Sequence, residues 1–534
     1  MAAERHDRAS LGGAPPGGLL VATAIAAVLS AAYLVLRPAA PDLPAQLARA
    51  GAASRGVQLW WAGWYGGINT STYSLVSAHL MSLLGVGAVG VLSTLIVTLA
   101  AADLVKSSQR PRAGAAAVAI AAGANLYSGR ITFAAGMALA LLSFCLLRRG
   151  RQWPAIAMAL ATGLVSPLAA LCQCIGVAAL LLTRRDRRPA HLLLAIASGA
   201  PVLTITILFG QPSYMPFSAD TCLFALLACA GVLIAPVPRT VRALAVVSAA
   251  LAIAAVAVHS PIGSNAARMP MLAAAPLVIA TARPSHRRVS VLALGLLAWP
   301  AISFTSDMAI AAQPSSQAAF YAPLLAQLPR SGEARQRVEV LDPRTHAAAY
   351  YLSTQVPVAR GWERQIDAAQ NRLFYKGSLT ASTYGAWLSA QAVGWVAVPA
   401  AHLDYSAVQE QRLVLSGLPY LRLIWSSPQW RLYRVTEPAR MALGALHVTA
   451  ATDTEIRLDA TAAGWALVRT QYSRLLVVRS LTEPAVTGCV APADNGQVLL
   501  SVPAPGGYSL HAEVGALSGH CLPQTAASPR TAQW

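Results

Sequence analysis

Asp42 is a candidate for acid–base or metal chemistry because of its position in this 534-residue sequence. It follows the apolar run 18–37, and it is the only acidic residue in the segment 38–72. An isolated carboxylate next to a membrane cavity could act as a general base or bind a divalent cation. The same residue could instead be an exposed loop aspartate, or it could cap a helix that begins at Leu43.

Arg130 and Arg268 are candidates for binding a phosphate group. Each stands at the start of an apolar segment, in a short loop that otherwise carries little charge. A guanidinium group binds phosphate through two parallel hydrogen bonds, so these side chains could hold the phosphate of a lipid. Alternatively, they could extend to the membrane interface, or they could pair with Asp220 or Asp307.

The segment 58–75 is rich in aromatic residues and glycine. Its aromatic side chains could form a belt at the membrane interface, or they could be a stacking platform for a sugar or a lipid headgroup. The pair Gly66 and Gly67 would allow the backbone to approach a ligand closely. The aromatic residues concerned are Trp60, Trp61, Trp64 and Tyr65.

Other catalytic signals are weak. His259 stands alone at the end of an apolar segment, where a single histidine is more often structural than catalytic. The sequence contains no phosphate-binding P-loop and no HExxH, GxSxG or CxxC motif. ATP-driven transport by this chain is therefore not supported.

The composition indicates that more than half of the chain lies in a membrane. Hydrophobic residues make up 56% of the sequence, charged residues only 11%, and the mean hydropathy is +0.52. Ordinary globular proteins are about 25% charged. Only seven of the 21 acidic residues precede residue 311. The sequence therefore predicts a lipid-embedded part of about 310 residues, followed by a water-soluble part of about 220 residues.

Eleven apolar segments predict the helices of the lipid-embedded part. The segments 154–165 and 167–183 are short for spanning helices, which need ~20 residues, and Ser166-Pro167 separates these two. They could be half-helices that enter and leave on one side of the membrane. The eleven segments are 18–37, 76–104, 113–128, 131–147, 154–165, 167–183, 190–209, 221–236, 243–259, 269–282 and 289–307.

The net charge of +19 predicts the orientation of these segments. Its excess lies in short basic loops between apolar segments, so a membrane explains it better than a nucleic-acid partner. The positive-inside rule places these loops and the N-terminus in the cytoplasm. Segment 38–72 and everything after about residue 310 are then extracytoplasmic. The basic loops are Lys106–Arg112, Arg148–Arg151, Arg184–Arg188, Arg239–Arg242 and Arg283–Arg288.

The water-soluble part shows two patterns. Between residues 335 and 435, strand-like runs such as 338–341 and 395–398 alternate with helix-like runs, which predicts an α/β domain. From about residue 445, strands alternate with turns, which predicts a β-sandwich with strands at 454–458, 465–470, 475–479, 497–502 and 508–512. Cys489 and Cys521 are the only cysteines in this part, and an oxidising compartment would pair them in a disulfide.

The predicted fold is a polytopic α-helical membrane domain followed by an extracytoplasmic α/β domain and a β-sandwich domain. The predicted boundaries are 1–17 for a cytoplasmic tail, 18–310 for the transmembrane domain with 38–72 as its first outer loop, 311–440 for the α/β domain, 441–522 for the β-sandwich, and 523–534 for a disordered tail.

Several motifs resemble those of a family of large actinobacterial membrane proteins with the GT-C glycosyltransferase architecture. The resemblance covers most of the chain, roughly residues 20–435. In the first outer loop the motifs are Asp42–Ala50, Trp64–Gly67 and Tyr73-Ser74. The others are Ser128–Phe133, Pro261–Asn265 with Arg268, Ala359–Gln365, Leu373–Tyr375, Tyr405-Ser406 and Gly417–Tyr420.

The resemblance implies a membrane enzyme with lipid substrates. GT-C enzymes use a polyprenyl-phosphate sugar as donor, bound from the outer leaflet, and the acceptor would be a cell-envelope glycan or lipid. Asp42 would be the catalytic base or a metal ligand, and Arg130 and Arg268 would bind the donor phosphate. The implied candidates for substrate contact are Trp64, Tyr65, Gly66, Gly67, Tyr73, Asn265 and His259.

The sequence also departs from the family in the first outer loop. Many characterised members carry two acidic residues there, whereas this chain carries one. The alternative function is therefore that of a catalytically inactive GT-C-like protein, which acts in envelope assembly, lipid handling or scaffolding.

The predicted topology determines which engineered cysteines can be labelled from outside the cell. In a background without reactive native cysteines, Ser107→Cys should be shielded from an impermeant thiol reagent, whereas Ser378→Cys should react. Both should react in permeabilised cells, which serve as the control. Labelling of Ser107→Cys but not Ser378→Cys in intact cells would show that the orientation is inverted.

Overall fold

The computed structural model describes residues 16–184, 188–283, 286–329 and 335–513. The chain divides into two compact units. The helical unit comprises the chain up to Gln46, Tyr73–Ile205 and Ser213–Ala312, and the carboxy-terminal unit comprises Leu47–Thr72, Thr206–Pro212 and the chain from Gln313 onward.

This division differs from the predicted one in the first outer loop. The sequence assigned the whole segment 38–72 to the transmembrane domain, but Leu47–Thr72 belongs to the carboxy-terminal unit. The end of the helical unit at Ala312 lies close to the predicted boundary at residue 310.

All eleven predicted apolar segments form helices in the described chain. Segment 76–104 contains two helices rather than one, because Gly85 between them has a φ of 87°, which only glycine adopts readily. The helices are α1 (Pro16–Leu36), α2 (Leu43–Ser54), α3 (Ser77–Leu84), α4 (Val86–Val105), α5 (Pro111–Tyr127), α6 (Ile131–Arg148), α7 (Gln152–Val165), α8 (Pro167–Thr183), α9 (Arg188–Phe209), α10 (Ala219–Ile234), α11 (Arg239–Ala257), α12 (Arg268–Thr281) and α13 (His286–Ala311).

Six helices in the described part of the chain are long and apolar enough to cross a membrane. This finding makes the chain a multi-pass membrane protein by the length and composition of its helices. Whether all eleven segments cross, and in which direction, stays a prediction. The six helices are α1, α4, α6, α9, α11 and α13.

The break between α7 and α8 has a local cause. Ser166 is extended, with φ −151° and ψ 109°, and its Oγ accepts a hydrogen bond of 3.3 Å from the backbone N–H of Ala169. Pro167 occupies the first position of α8, where its missing N–H costs nothing. One helix therefore ends and the next begins at the Ser166-Pro167 pair that the sequence indicated.

The carboxy-terminal unit contains a short antiparallel pair of strands, β1 (Trp60–Trp61) and β2 (Ile68–Asn69). It also contains a mixed four-stranded sheet in the order β3-β4-β6-β5. Its strands are β3 (Arg337–Val340), β4 (Val393–Pro399), β5 (Leu421–Ser426) and β6 (Trp430–Val435). β3 and β4 are parallel, and the other neighbours are antiparallel. The accompanying helices are α14 (Ala318–Leu325), α15 (Ala348–Tyr351), α16 (Arg364–Gln370), α17 (Ala381–Ala390) and α18 (Tyr405–Leu415).

Two antiparallel sheets follow, in the orders β10-β13-β8-β7 and β11-β12-β9. Their inward residues, such as Leu458, Val468 and Leu500, share one apolar core. Five of the seven strands occur where the alternating pattern predicted them, and β7 and β11 are additional. The strands are β7 (Leu446–Ala451), β8 (Glu455–Ala460), β9 (Gly464–Gln471), β10 (Leu476–Ser480), β11 (Cys489–Pro492), β12 (Gln497–Val502) and β13 (Gly506–Ala512).

The predicted disulfide involves one residue that can be described. Cys489 lies on β11 and is disulfide-bonded. Cys521 lies outside the described residues, so the pairing of Cys489 with Cys521 stays a prediction.

The aromatic residues of the first outer loop lie in the interior of the carboxy-terminal unit. Trp61, Trp64 and Tyr65 are at most 1% exposed. Trp61 stacks on Trp64 with ring centroids 4.4 Å apart, and Trp64 Nε1 donates to the carbonyl oxygen of Ala349 at 3.2 Å. The expectations of a membrane belt and of a stacking platform were therefore wrong, because fully buried rings contact neither lipid nor sugar.

Gly66 and Gly67 also serve the packing of this loop. The carbonyl oxygen of Gly66 accepts a hydrogen bond of 2.8 Å from the backbone N–H of Gln471 on β9. Gly67 has a φ of 120°, and a Cβ atom there would lie 2.7 Å from the indole ring of Trp60. The backbone at Gly67 must therefore lie close to another group, as the sequence indicated. That group is a tryptophan of the same unit and not a ligand.

We expect Gly67→Ala to destabilise the protein by roughly 2–4 kcal/mol, since it adds a steric clash to a strained backbone. Gly377→Ala is the matched control, because Gly377 also has a positive φ, 67°, but has open space around its Cα. It should cost roughly 1 kcal/mol. The apparent melting temperature of the detergent-solubilised chain measures both effects, and equal losses would refute the packing role of Gly67.

Candidate functional site

Arg130 forms the centre of a charged cluster in the helical unit. Its Nε donates to Asp42 Oδ2 at 2.8 Å, and its Nη2 lies 3.6 Å from Asp307 Oδ2. Asp42 follows α1, Arg130 precedes α6, and Asp307 lies on α13. The structure therefore brings Asp42 and Arg130 together, and adds Asp307, one of the alternative partners considered for the arginines.

A close backbone approach positions Arg130 beside Asp42. The turn between α5 and α6 contains Gly129, with a φ of 77°, directly before Arg130. A Cβ atom on Gly129 would lie 2.6 Å from the backbone nitrogen of Leu43. Only glycine lets this turn touch the start of α2, where Asp42 stands.

Asp42 is the most accessible member of the cluster. Its side chain is 36% exposed, compared with 16% for Arg130 and 18% for Asp307. A partly exposed carboxylate held by a buried guanidinium is oriented while one face remains open to a substrate. α2 also begins at Leu43, as the interpretation of Asp42 as a helix cap required.

The divalent cation predicted at Asp42 has a competitor in Arg130, which already supplies a positive charge to this carboxylate. In the part of the chain that the structure describes, no three His, Cys, Asp or Glu side chains are grouped as a metal site would need. A divalent cation there stays an expectation of the family resemblance.

Arg268 is the first residue of α12. Its guanidinium lies 5.4 Å from the ring centroid of Phe133, a cation–π contact, and the charges of Arg130 and Asp42 act on it electrostatically. Across the described ranges Arg268 has no ion pair, whereas Arg130 has two. The two arginines thus differ: Arg130 is neutralised by carboxylates, and Arg268 keeps its charge for another partner.

Arg268 also lines a cavity of about 830 Å³ inside the helical unit. The cavity wall is mainly apolar and comes from α4, α5, α6, α8, α11 and α12, with one residue from α9. Asn125 and Phe133 flank Arg268 at this end of the cavity. Of the three predicted chemical residues only Arg268 lines it, so a ligand phosphate at Arg268 could extend an apolar chain inward.

Tyr73 belongs to the same region through a polar network. Its hydroxyl accepts a hydrogen bond of 2.9 Å from Gln46 Nε2, and Gln46 Oε1 accepts one of 2.6 Å from Thr132 Oγ1. The charge of Arg268 interacts with Tyr73 as well. Sequence reasoning missed Gln46 and Thr132; the position of Gln46 one helical turn after Asp42 was the available signal.

The remaining predicted contacts are less closely connected. Asn265 is half-buried in the short 3-10 helix Gly263–Ala267, which leads into α12. His259 is exposed and stacks on Tyr214 with ring centroids 5.1 Å apart. Among the described residues no hydrogen bond joins His259 to Asp42, Arg130 or Arg268, which favours the structural interpretation of this histidine.

The family-like motifs of the carboxy-terminal unit form buried ion pairs. Arg360 donates to both carboxylate oxygens of Asp367, at 2.9 and 2.5 Å, and Arg364 does the same to Asp404, at 2.8 and 2.6 Å. Glu339 and Glu410 each lie 3.5 Å from Arg360 and are fully buried. These motifs therefore hold the α/β domain together and form no open site.

One guanidinium faces three buried carboxyl groups in this cluster, so at least one carboxyl is held in its neutral form. Burial raises the pKa of Glu410 to about 7, and it outweighs the opposing effects of Arg360 and of the hydrogen bond from Tyr384. Burial, reinforced by Glu410, likewise raises the pKa of Glu339.

The raised pKa values predict a fold that is less stable at higher pH. A carboxyl whose pKa is higher in the folded than in the unfolded chain contributes stability at low pH, and this contribution is lost as the pH rises through about 7. The apparent melting temperature of the solubilised chain should fall as the pH rises from about 4.5 to about 7. Glu410→Gln should flatten the profile, and Glu437→Gln, an exposed control, should not. An unchanged profile in Glu410→Gln would contradict this assignment.

No protein-family model and no curated protein matches this chain. Among solved structures, the chain is similar to the cryo-EM structure of the arabinofuranosyltransferase AftD from mycobacteria, with 15% identity over 78% of this chain and a TM-score of 0.42. A mutant of AftD gives 16% identity and a TM-score of 0.38. The chain spans about 40% of the length of AftD.

Proposed function

We propose that this chain transfers a sugar from a polyprenyl-phosphate donor to a cell-envelope glycan or lipid at the outer face of the plasma membrane. One observation carries the proposal: an accessible carboxylate, Asp42, is held by Arg130 in the same cluster of charges as Arg268, which has no ion pair among the described residues. A glycosyl transfer needs both groups, a proton acceptor for the incoming hydroxyl and a cation for the departing phosphate.

The donor would occupy the cavity from the end at Arg268. An isoprenoid chain is apolar, and the wall of the 830 Å³ cavity is apolar along most of its length. The guanidinium of Arg268 would bind the phosphate bidentately. The sugar, attached to this phosphate, would then lie toward the cluster that contains Asp42.

In the reaction, the acceptor oxygen forms a bond to the anomeric carbon, and the bond between that carbon and the donor phosphate oxygen breaks. Asp42 takes the proton that the acceptor hydroxyl loses. The bonding electrons leave with the polyprenyl phosphate, whose additional negative charge Arg268 stabilises. Arg130 acts as a positioning residue, since its contacts with Asp42 and Asp307 hold the base in a fixed orientation.

A non-enzymatic function is the second candidate. It is favoured by the pairing of Arg130 with two carboxylates, an arrangement that also serves a purely structural ion cluster. The chain would then bind a lipid phosphate at Arg268 without sugar transfer, as in lipid handling or envelope scaffolding. The two candidates share the binding step and differ in turnover.

Two substitutions separate binding from chemistry. Asp42→Asn preserves the shape of the side chain but removes the base, so turnover should fall by about 100-fold or more while donor binding persists. Arg268→Gln should weaken donor binding by about 10-fold or more, since it removes the charge that meets the phosphate. Binding and turnover are measured with the purified full chain in lipid nanodiscs and a labelled polyprenyl-phosphate sugar.

Asp494→Asn is the control, because Asp494 is an exposed turn residue of the carboxy-terminal unit. It should leave both quantities unchanged. Unchanged turnover in Asp42→Asn would remove the catalytic role and leave Asp42 as a structural partner of Arg130. Donor binding without turnover in the wild-type chain would favour the non-enzymatic function.

A further inference from the structure

The cavity of the helical unit extends far beyond the candidate site. On α6 its lining begins at Phe133 and ends at Arg148, and on α12 it begins at Arg268 and ends at Thr281. On α8 it extends from Cys172 to Arg184, the residue after the helix. Three helices therefore line the cavity over nearly their whole length, and the cavity has a second end, opposite Arg268.

The second end is polar, in contrast to the apolar middle. The residues there carry hydroxyl or guanidinium groups, which are the groups that bind phosphate in proteins. Ser108 is notable, because its Oγ is buried and has no hydrogen-bond partner in the described chain. The polar residues at this end that carry such groups are Ser107, Ser108, Arg148, Arg184, Thr240 and Thr281, and His191 also lines the cavity there.

The charge at the second end is positive. Asp103 is surrounded by three cations: Lys106 at 3.0 Å, Arg148 at 3.0 Å and Arg149 at 3.2 Å. One carboxylate cannot neutralise three cations, and Arg184 adds a further positive charge to the lining. An anion entering this end would therefore be attracted.

We propose that the second end of the cavity is a binding site for an anionic phospholipid of the leaflet on that side, with the phosphate at Arg148, Arg184 and Ser108 and an acyl chain in the apolar middle of the cavity. Basic pockets between membrane helices are typical sites for anionic lipid headgroups. With the predicted topology this leaflet is the cytoplasmic one. The proposal does not depend on glycosyl transfer at Asp42.

The charge at the second end and the apolar middle of the cavity together indicate which molecule would occupy it. A soluble anion would use the guanidinium groups but not the apolar middle, and a neutral lipid would use the middle but not the cations. A phospholipid with a net negative headgroup uses both. The membrane in which these helices lie supplies such lipids directly.

Photo-crosslinking of the full chain tests the site. Nanodiscs are prepared with phosphatidylglycerol or, separately, phosphatidylcholine that carries a diazirine on the acyl chain, and labelled peptides are identified by mass spectrometry. Phosphatidylglycerol should label inward residues such as Leu141 and Gly176 about 10-fold more than phosphatidylcholine does. Unlabelled phosphatidylglycerol should compete, and phosphatidylcholine should not.

Variants locate the headgroup. Arg148→Gln combined with Arg184→Gln should reduce the inward labelling about 10-fold. Arg112→Gln is the matched control, because Arg112 belongs to a basic loop but does not line the cavity; its labelling should not change. Arg268→Gln should keep the phosphatidylglycerol labelling even where it loses the donor, so a failure of the proposed function is distinguishable from a failure here.

Equal inward labelling by the two lipids, or labelling confined to outward residues such as Leu182, would overturn the proposal. If the double variant does not fold, the competition experiment on the wild-type chain decides the question alone.

Discussion

The cost of placing a charge among apolar helices constrains the helical unit most strongly. A guanidinium or a carboxylate at membrane depth is expensive unless it meets an opposite charge or water. Arg130 meets this requirement with two carboxylates, Asp42 and Asp307, and thereby ties together α13, the turn before α6 and the segment after α1. The glycine at position 129 permits the approach. The convergence of these charges forms the candidate site.

Arg130 is paired with carboxylates, whereas Arg268 has no ion pair among the described residues. The two arginines therefore have different proposed roles. Arg268 lines a long, mainly apolar cavity. It has a cation–π contact with Phe133 but no ion pair among the described residues. A cation of this kind is costly without an anion. The proposed donor phosphate would relieve that cost.

The sequence correctly predicted the structural features that depend on local composition. Apolar runs became helices, alternating runs became the strands β8, β9 and β13, and two loop charges, Asp42 and Arg130, proved to be neighbours. It could not predict the fate of the tryptophans near residue 60, because a membrane belt, a stacking platform and a buried core share the same aromatic pattern. Only tertiary packing distinguishes them. Gln46 was missed for the same reason, since its hydrogen bonds join residues far apart in the chain.

The central claim is sugar transfer from a lipid phosphate, and its most direct measurement uses the wild-type chain alone. Purified protein in nanodiscs is incubated with a polyprenyl-phosphate sugar labelled on both sugar and lipid, together with an envelope-lipid acceptor fraction. We expect label from the sugar to appear in the acceptor at the same rate as the unglycosylated polyprenyl phosphate is released. Donor binding without any sugar label in the acceptor would contradict the claim of sugar transfer.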